Sequence, residues 1–154
     1  MSTAPQRKPS ERSTEAGGGA TTTPKGRLDW RLLLDWLRED GLVSAEEAER
    51  VARRFAAGSS SLHALVRLGG AGLLKRGTQR ALDTEALTEW LAARIGRPFL
   101  RIDPLKVDVG RVAEVMSLQY AETRRVLPIG VTLADVTVAT AEPFDTAWVG
   151  EIEA

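Results

Sequence analysis

The spacing of apolar residues changes at the Gly96-Arg97-Pro98 break, and this change restricts the fold more than any other feature of the chain. Before the break, large apolar side chains recur three and four positions apart, the period of a helix with one buried stripe. Leu28, Leu32, Leu33, Trp36 and Leu37 predict a first helix that Gly41 ends. Ser44 with Glu47 three positions on predicts a capping box opening a second, whose stripe is Ala48, Val51, Ala52 and Phe55. Ser60 or Ser61 is expected to cap a third carrying Leu62, Leu65, Val66 and Leu68, and "GGAGLLKRG" after it reads as a loop. Asp83 should cap a fourth with Leu87, Trp90, Leu91 and Ile95 on one side and Gly96 as its stop.

Beyond Pro98 the pattern turns strand-like. "FLRI" predicts a short strand, and Asp108 should cap a helix with Val109, Val112, Val115, Met116 and Tyr120 facing inward. "RVLPIGV" and "DVTVAT" predict an antiparallel hairpin through "TLAD", and "EPFDTAWVGEIEA" reads as the start of one more helix. The expected fold class is therefore α+β, an N-terminal helical layer packed through its last helix on a small strand-helix-strand-strand unit. Residues 1–26 are rich in Ser, Thr, Gly, Pro and charge with no apolar period, so a disordered tail is expected there. The division that follows is a tail over 1–26, a helical subdomain over 27–95 and a small α/β subdomain over 96–154, truncated at its C-terminal helix. A weak duplication is also legible, because both helical pairs place a leucine eight residues before a glycine, Leu33 before Gly41 and Leu62 before Gly70.

Composition and motifs mainly exclude chemistry. The absence of cysteine rules out disulfides, thiolate metal sites and cysteine nucleophiles. The balance of 21 basic against 21 acidic residues gives no general reason to expect nucleic acid as a partner. The N-terminal stretch has no apolar run suited to a signal peptide or membrane span, so a cytoplasmic chain is expected. Gly72 to Thr78, "GLLKRGT", has the glycine spacing of a phosphate loop but lacks the lysine that should follow Gly77, and no apolar strand precedes it. His63, the only histidine, has no second imidazole or thiolate to share a metal with, and reads as a packed or surface histidine. Asp103 and Asp108 bracket "PLKV" as a turn residue and a helix cap, and Trp36 and Trp90 fall on apolar stripes. Trp30 and Trp148 are the tryptophans more accessible to a partner. No cofactor or catalytic set is expected.

The run "GRPFLRIDPLKVDVGRVAEVM", continued by "RRVLPIGV" and "VTVATAEPFD", resembles the N-terminal domain of the ATPases of type II secretion and type IV pilus assembly in bacteria. Such domains run helix, G-x-P, a short strand ending before "DPLK", a helix, then "R-x-x-L-P" and "TVA-x-A-x-P" strands. The likeness covers residues 84–146 well and 28–70 loosely. It implies a non-catalytic module that docks onto an inner-membrane platform protein from the cytoplasm, while the Walker A loop and ATPase activity lie in a C-terminal domain. The polar positions Arg97, Arg101, Asp103 and Lys106, with Trp30, are the docking candidates. The alternative within the same family is a regulatory domain sensing cyclic di-GMP through tandem motifs opening R-L-G. Aligning the later glycine of each motif on Gly41 and Gly70 puts Leu32, Leu33, Leu34 and Ser61, Leu62, His63 at the two openings, without either arginine or opening glycine. Arg67 is then the nucleotide candidate, approaching from elsewhere.

Overall fold

The computed structural model describes residues 23–153. Four helices, α1 (Trp30–Glu39), α2 (Ala45–Ala56), α3 (Ala64–Gly69) and α4 (Thr84–Arg94), make the N-terminal layer. Their starts follow from short polar side chains that accept otherwise unpaired backbone N–H groups. Asp29 takes the N–H of Arg31, Ser44 that of Glu47 and Asp83 that of Ala86. Gly41 and Gly96 follow α1 and α4 with φ of 70° and 68°, the left-handed backbone that lets a chain leave a helix. The inward stripes meet in one cluster built around Leu33, Leu37, Val51, Leu68, Leu73 and Leu87, all essentially inaccessible to solvent.

The third helix departs from expectation. Neither Ser60 nor Ser61 caps it; His63 does, its Nδ1 accepting the Leu65 N–H at 3.2 Å. Starting at Ala64 turns the buried side to Ala64, Leu65 and Leu68 and leaves Leu62 and Val66 exposed. The glycine-rich loop after it is a small hairpin. Leu74 bridges Ala81 antiparallel, Leu82 N–H donates to the Leu73 carbonyl at 2.8 Å and Lys75 N–H to that of Arg80 at 2.8 Å. Gly72, not Gly70, has the positive φ, 71°, that matches Gly41. The internal repeat is thus "LDWLREDGL" (34–42) against "LVRLGGAGL" (65–73), with Leu34 and Leu37 answering to buried Leu65 and Leu68.

The carboxyl half holds a 3-10 turn (Pro104–Lys106), α5 (Val109–Val115), α6 (Leu118–Arg124), strands β1 (Val126–Val131) and β2 (Val136–Thr140), and α7 (Ala147–Ile152). The hairpin forms as expected, antiparallel from Val126 opposite Thr140 to Val131 opposite Val136, with Ile129 bulged between Pro128 and Gly130. A proline cannot donate to the ladder, and the bulge beside it absorbs the irregularity. The fold is α+β, but the strand expected at "FLRI" does not form. Phe99 to Ile102 run irregularly, because they pair with neither outer edge of the two-stranded sheet of β1 and β2. The single helix expected from Asp108 through Tyr120 is two, since Met116 is extended (φ −152°, ψ 133°) and Ser117 caps α6 through the Tyr120 N–H. Val109 is exposed, so the inward stripe there shrinks to buried Met116 with Val112, Val115 and Tyr120 half-buried.

The seam between the halves was expected along α4. It runs instead along the starts of α1 and α3, where Leu28 and His63 meet Glu142 and Ala141, with the Phe144 ring edge-on to Trp36 at 6.1 Å. Of the tail expected over 1–26, residues 1–22 lie outside the described residues. Gly26 N–H donates to the Phe144 carbonyl at 3.2 Å, and Thr23 to Lys25 line a hollow with Ile95, Arg97 and Phe144, so the chain is already laid down by Thr23.

Candidate docking surfaces

Glu142 is the one charged side chain buried among the described residues, 1% exposed, and it joins the two halves. One carboxylate oxygen accepts the Leu28 N–H at 2.7 Å; the other accepts from Arg125 at 2.7 Å and lies 3.3 Å from His63 Nε2. His63 Nε2 also lies 2.8 Å from the Ala141 carbonyl, while its Nδ1 accepts from Leu65. Two acceptors on one nitrogen and a donor on the other assign the ring proton to Nε2. Burial alone would push the Glu142 carboxyl up; donation from His63, the Leu28 N–H and Arg125 outweighs it and holds the group below the ordinary carboxylate range. Arg125 reaches this position from a left-handed backbone, φ 56°, the only non-glycine positive φ among the described residues. Nothing in the local sequence marks Glu142, because its role exists only once residues 114 positions apart in the chain meet.

A second cluster ties α4 to the end of α1. Asp40 accepts from Arg94 and, at 2.8 Å, from the Trp90 indole, while Arg94 also pairs with Glu39 at 2.8 Å. The Arg94 hydrogen bond is the main reason the Asp40 carboxyl lies below its usual range, with Trp90 adding to it against the opposing effect of burial. These are architectural contacts.

Two solvent-exposed surfaces carry the docking candidates read from the sequence. The first is the segment after α4. Arg97 borders the hollow with Phe144, Arg101 pairs with Glu85, and Asp103 caps the 3-10 turn through the Leu105 N–H at 3.1 Å with Lys106 at 3.9 Å. Among them stand Leu100, Ile102, Leu105 and Val109, apolar and exposed, Leu105 at 95% and Val109 at 70%. The second is a hollow of about 540 Å³ at the starts of α1 and α3, lined by Arg27, Asp29, Trp30, Arg31, Ser60, Ser61, Leu62, Arg67 and Arg125 among others. Trp30 is half-buried, edge-on to Phe55 at 5.2 Å, with the Arg31 guanidinium 4.3 Å and that of Arg67 5.6 Å from its ring centroid. The docking candidates thus divide, Trp30 and Arg67 at the hollow and the other four along residues 97–106. Trp148, expected like Trp30 to be partly exposed, is half-buried, and its indole N–H is buried with no hydrogen-bond partner among the described residues.

A helical layer and a two-stranded hairpin define an α+β module, and among the described residues no three His, Cys, Asp or Glu side chains gather where they could hold a metal ion. No family model matches the sequence. The type IV pilus assembly ATPase TfpB of Acinetobacter baylyi is 36% identical over 76 residues, 49% of this chain and 13% of TfpB. A solved structure of MshE with cdg shares the fold, at a TM-score of 0.52 and 22% identity over 77% of each chain. The chain is therefore similar to part of a type IV pilus assembly ATPase, in keeping with the N-terminal domain resemblance read from its sequence. The match spans only about one eighth of that relative's length. Among the described residues no helix is long and apolar enough to cross a membrane.

Proposed function

We propose that the chain is a non-catalytic N-terminal docking and regulatory domain of a type IV pilus or type II secretion ATPase, binding the inner-membrane platform protein at its cytoplasmic side. Hydrolysis would then belong to a C-terminal ATPase domain. The observation that carries the docking role is the exposed apolar ridge of Leu100, Ile102, Leu105 and Val109, interleaved with Arg97, Arg101, Asp103 and Lys106. Apolar side chains grouped within ten residues and rimmed by charge have the composition of an interface core with a polar rim. Burying one exposed leucine contributes about 1.5–3 kcal/mol, which is about a tenfold to hundredfold change in affinity. Leu105→Asp should therefore weaken binding to the cytoplasmic fragment of a platform protein at least about tenfold in biolayer interferometry, with the melting temperature unchanged. If the wild-type chain binds no such fragment, the docking role is wrong; if Leu105→Asp binds as well as wild type, the ridge is the wrong surface.

Sensing of cyclic di-GMP is the second reading. The shared fold with MshE, solved with cdg, favours it, as does Arg67 lining the hollow beside Trp30. Against it, the Arg67 guanidinium already donates to the carbonyls of Phe55 at 2.9 Å and Gly58 at 3.1 Å. Aligning Gly72 with Gly41 moves the second motif opening to His63, Ala64 and Leu65, again without arginine or glycine. Saturable micromolar heat on titrating cyclic di-GMP into the chain would favour this reading over docking alone.

A further inference from the structure

The hollow at the starts of α1 and α3 has an electrostatic design of its own. Four arginines, Arg27, Arg31, Arg67 and Arg125, line it against the single carboxylate of Asp29. Asp29 lies 3.9 Å from the Arg31 guanidinium and Arg125 is balanced by Glu142 beneath it, so the charges of Arg27 and Arg67 remain uncompensated. Arg27 and Arg67 are held by backbone carbonyls, Arg27 by that of Thr123 at 2.9 Å and Arg67 by those of Phe55 and Gly58. A carbonyl orients a guanidinium without cancelling its charge, so these groups are positioned for an anion at little further cost in side-chain entropy. Trp30 takes part by holding a cation: the Arg31 guanidinium lies over its ring at 4.3 Å, while that of Arg67 lies nearer the Phe55 centroid, at 4.1 Å, than that of Trp30, at 5.6 Å. The site therefore favours charge over aromatic stacking. Leu62, 60% exposed, adds one apolar contact on its rim, and Ser60 and Ser61 add hydroxyls.

We infer that this hollow is a second docking contact, receiving an acidic peptide segment of the partner in which carboxylates flank one apolar side chain. The inference rests on the docking role proposed above but uses a different surface, so the two fail separately. Carboxylates would meet Arg27, Arg31 and Arg67, with the apolar residue against Leu62.

The test is a nuclear magnetic resonance titration with a capped Glu-Glu-Leu-Glu-Glu peptide, its Gln-Gln-Leu-Gln-Gln counterpart and cyclic di-GMP. The acidic peptide should give saturable shifts at the Ser60 and Ser61 amides and the Arg27 and Arg31 side-chain N–H groups. Its apparent Kd should rise about tenfold between about 20 and about 200 mM NaCl, and again about tenfold in Arg31→Glu, a mostly exposed site whose change leaves the rest of the spectrum intact. Equal binding of the glutamine peptide, or no response to the acidic one whether or not cyclic di-GMP moves the same signals, overturns the inference. A platform fragment that binds wild type, loses affinity in Leu105→Asp and ignores Arg31→Glu also overturns it, with docking intact. An acidic peptide that binds here while no platform fragment binds the chain supports the hollow and leaves the docking role to fall.

Discussion

Replacing Glu142 by glutamine changes one atom of a buried side chain, and the structure assigns the change a large cost. The carboxylate accepts from three directions, the Leu28 N–H on one oxygen and Arg125 with His63 Nε2 on the other. Glutamine keeps the shape but offers a single oxygen, so its amide N–H₂ must face either the Leu28 N–H or the Arg125 and His63 donors. In the first case a buried backbone N–H loses its partner, at about 1–3 kcal/mol. In either case the charge assistance to Arg125 is lost, about 1 kcal/mol after allowance for that side chain's partial exposure. The expected loss is about 2–4 kcal/mol. With a urea slope of about 1.5 kcal/mol/M for a chain of this size, the midpoint should fall by about 2 M at unchanged slope. Urea titration followed by circular dichroism and by tryptophan fluorescence measures this, the latter because Trp36 lies against Phe144 at the same seam. Glu114→Gln, at an exposed position, serves as the control and should stay within about 0.5 kcal/mol of wild type. A Glu142→Gln chain as stable as that control would refute the assignment of Glu142 as the link between the halves.

The same group sets an acid limit. Glu142 and Asp40 are held below the ordinary carboxylate range of about 4, so the unfolded chain binds more protons in acid; their stabilisation is present above that value and is lost as pH falls through their depressed folded pKa values. Stability measured by urea titration should decline below about pH 4.5 with a shallower slope in Glu142→Gln, and parallel slopes would contradict it. Gly69→Ala should destabilise by about 2–3 kcal/mol, because a Cβ there would stand 2.3 Å from Thr84 Oγ1, 2.6 Å from its N and 2.8 Å from its Cα where α3 crosses α4. Gly41→Ala has open space around it and meets only the strain of φ 70°, so about 1 kcal/mol is expected. Chemical denaturation of the pair separates contact from backbone, and equal losses would count against the close α3–α4 approach.

What depended on neighbours in the chain was readable in the sequence. Caps at Ser44, Asp83 and Asp108, the stops at Gly41 and Gly96 and the "RVLPIGV"–"DVTVAT" hairpin all rest on interactions over a few residues or on a stripe repeating within one element. Resemblance in the run from Gly96 to Asp145 likewise pointed to the pilus ATPase kinship that the comparisons bear out. The failures share a different cause. "FLRI" has strand-like composition, but a strand exists only where its backbone pairs with another, and nothing within the segment reports that it joins neither edge of the β1–β2 hairpin. His63 displaced the serines as the α3 cap because its other nitrogen is engaged by Ala141 and Glu142 across the seam. The register of the internal repeat moved from Gly70 to Gly72 once backbone angles distinguished the two.

Sequence by itself therefore determined most of the helices and the hairpin, which follow from short-range periodicity and local hydrogen bonding, while the resemblance carried by its motifs supplied the likeness to pilus ATPases. Tertiary structure alone decided the buried Glu142 link, the arginine-lined hollow and the ridge left in solvent. Each of these is a meeting, or a failure to meet, of groups far apart in the chain, and burial and charge compensation take their values only when the packed chain sets the distances between them.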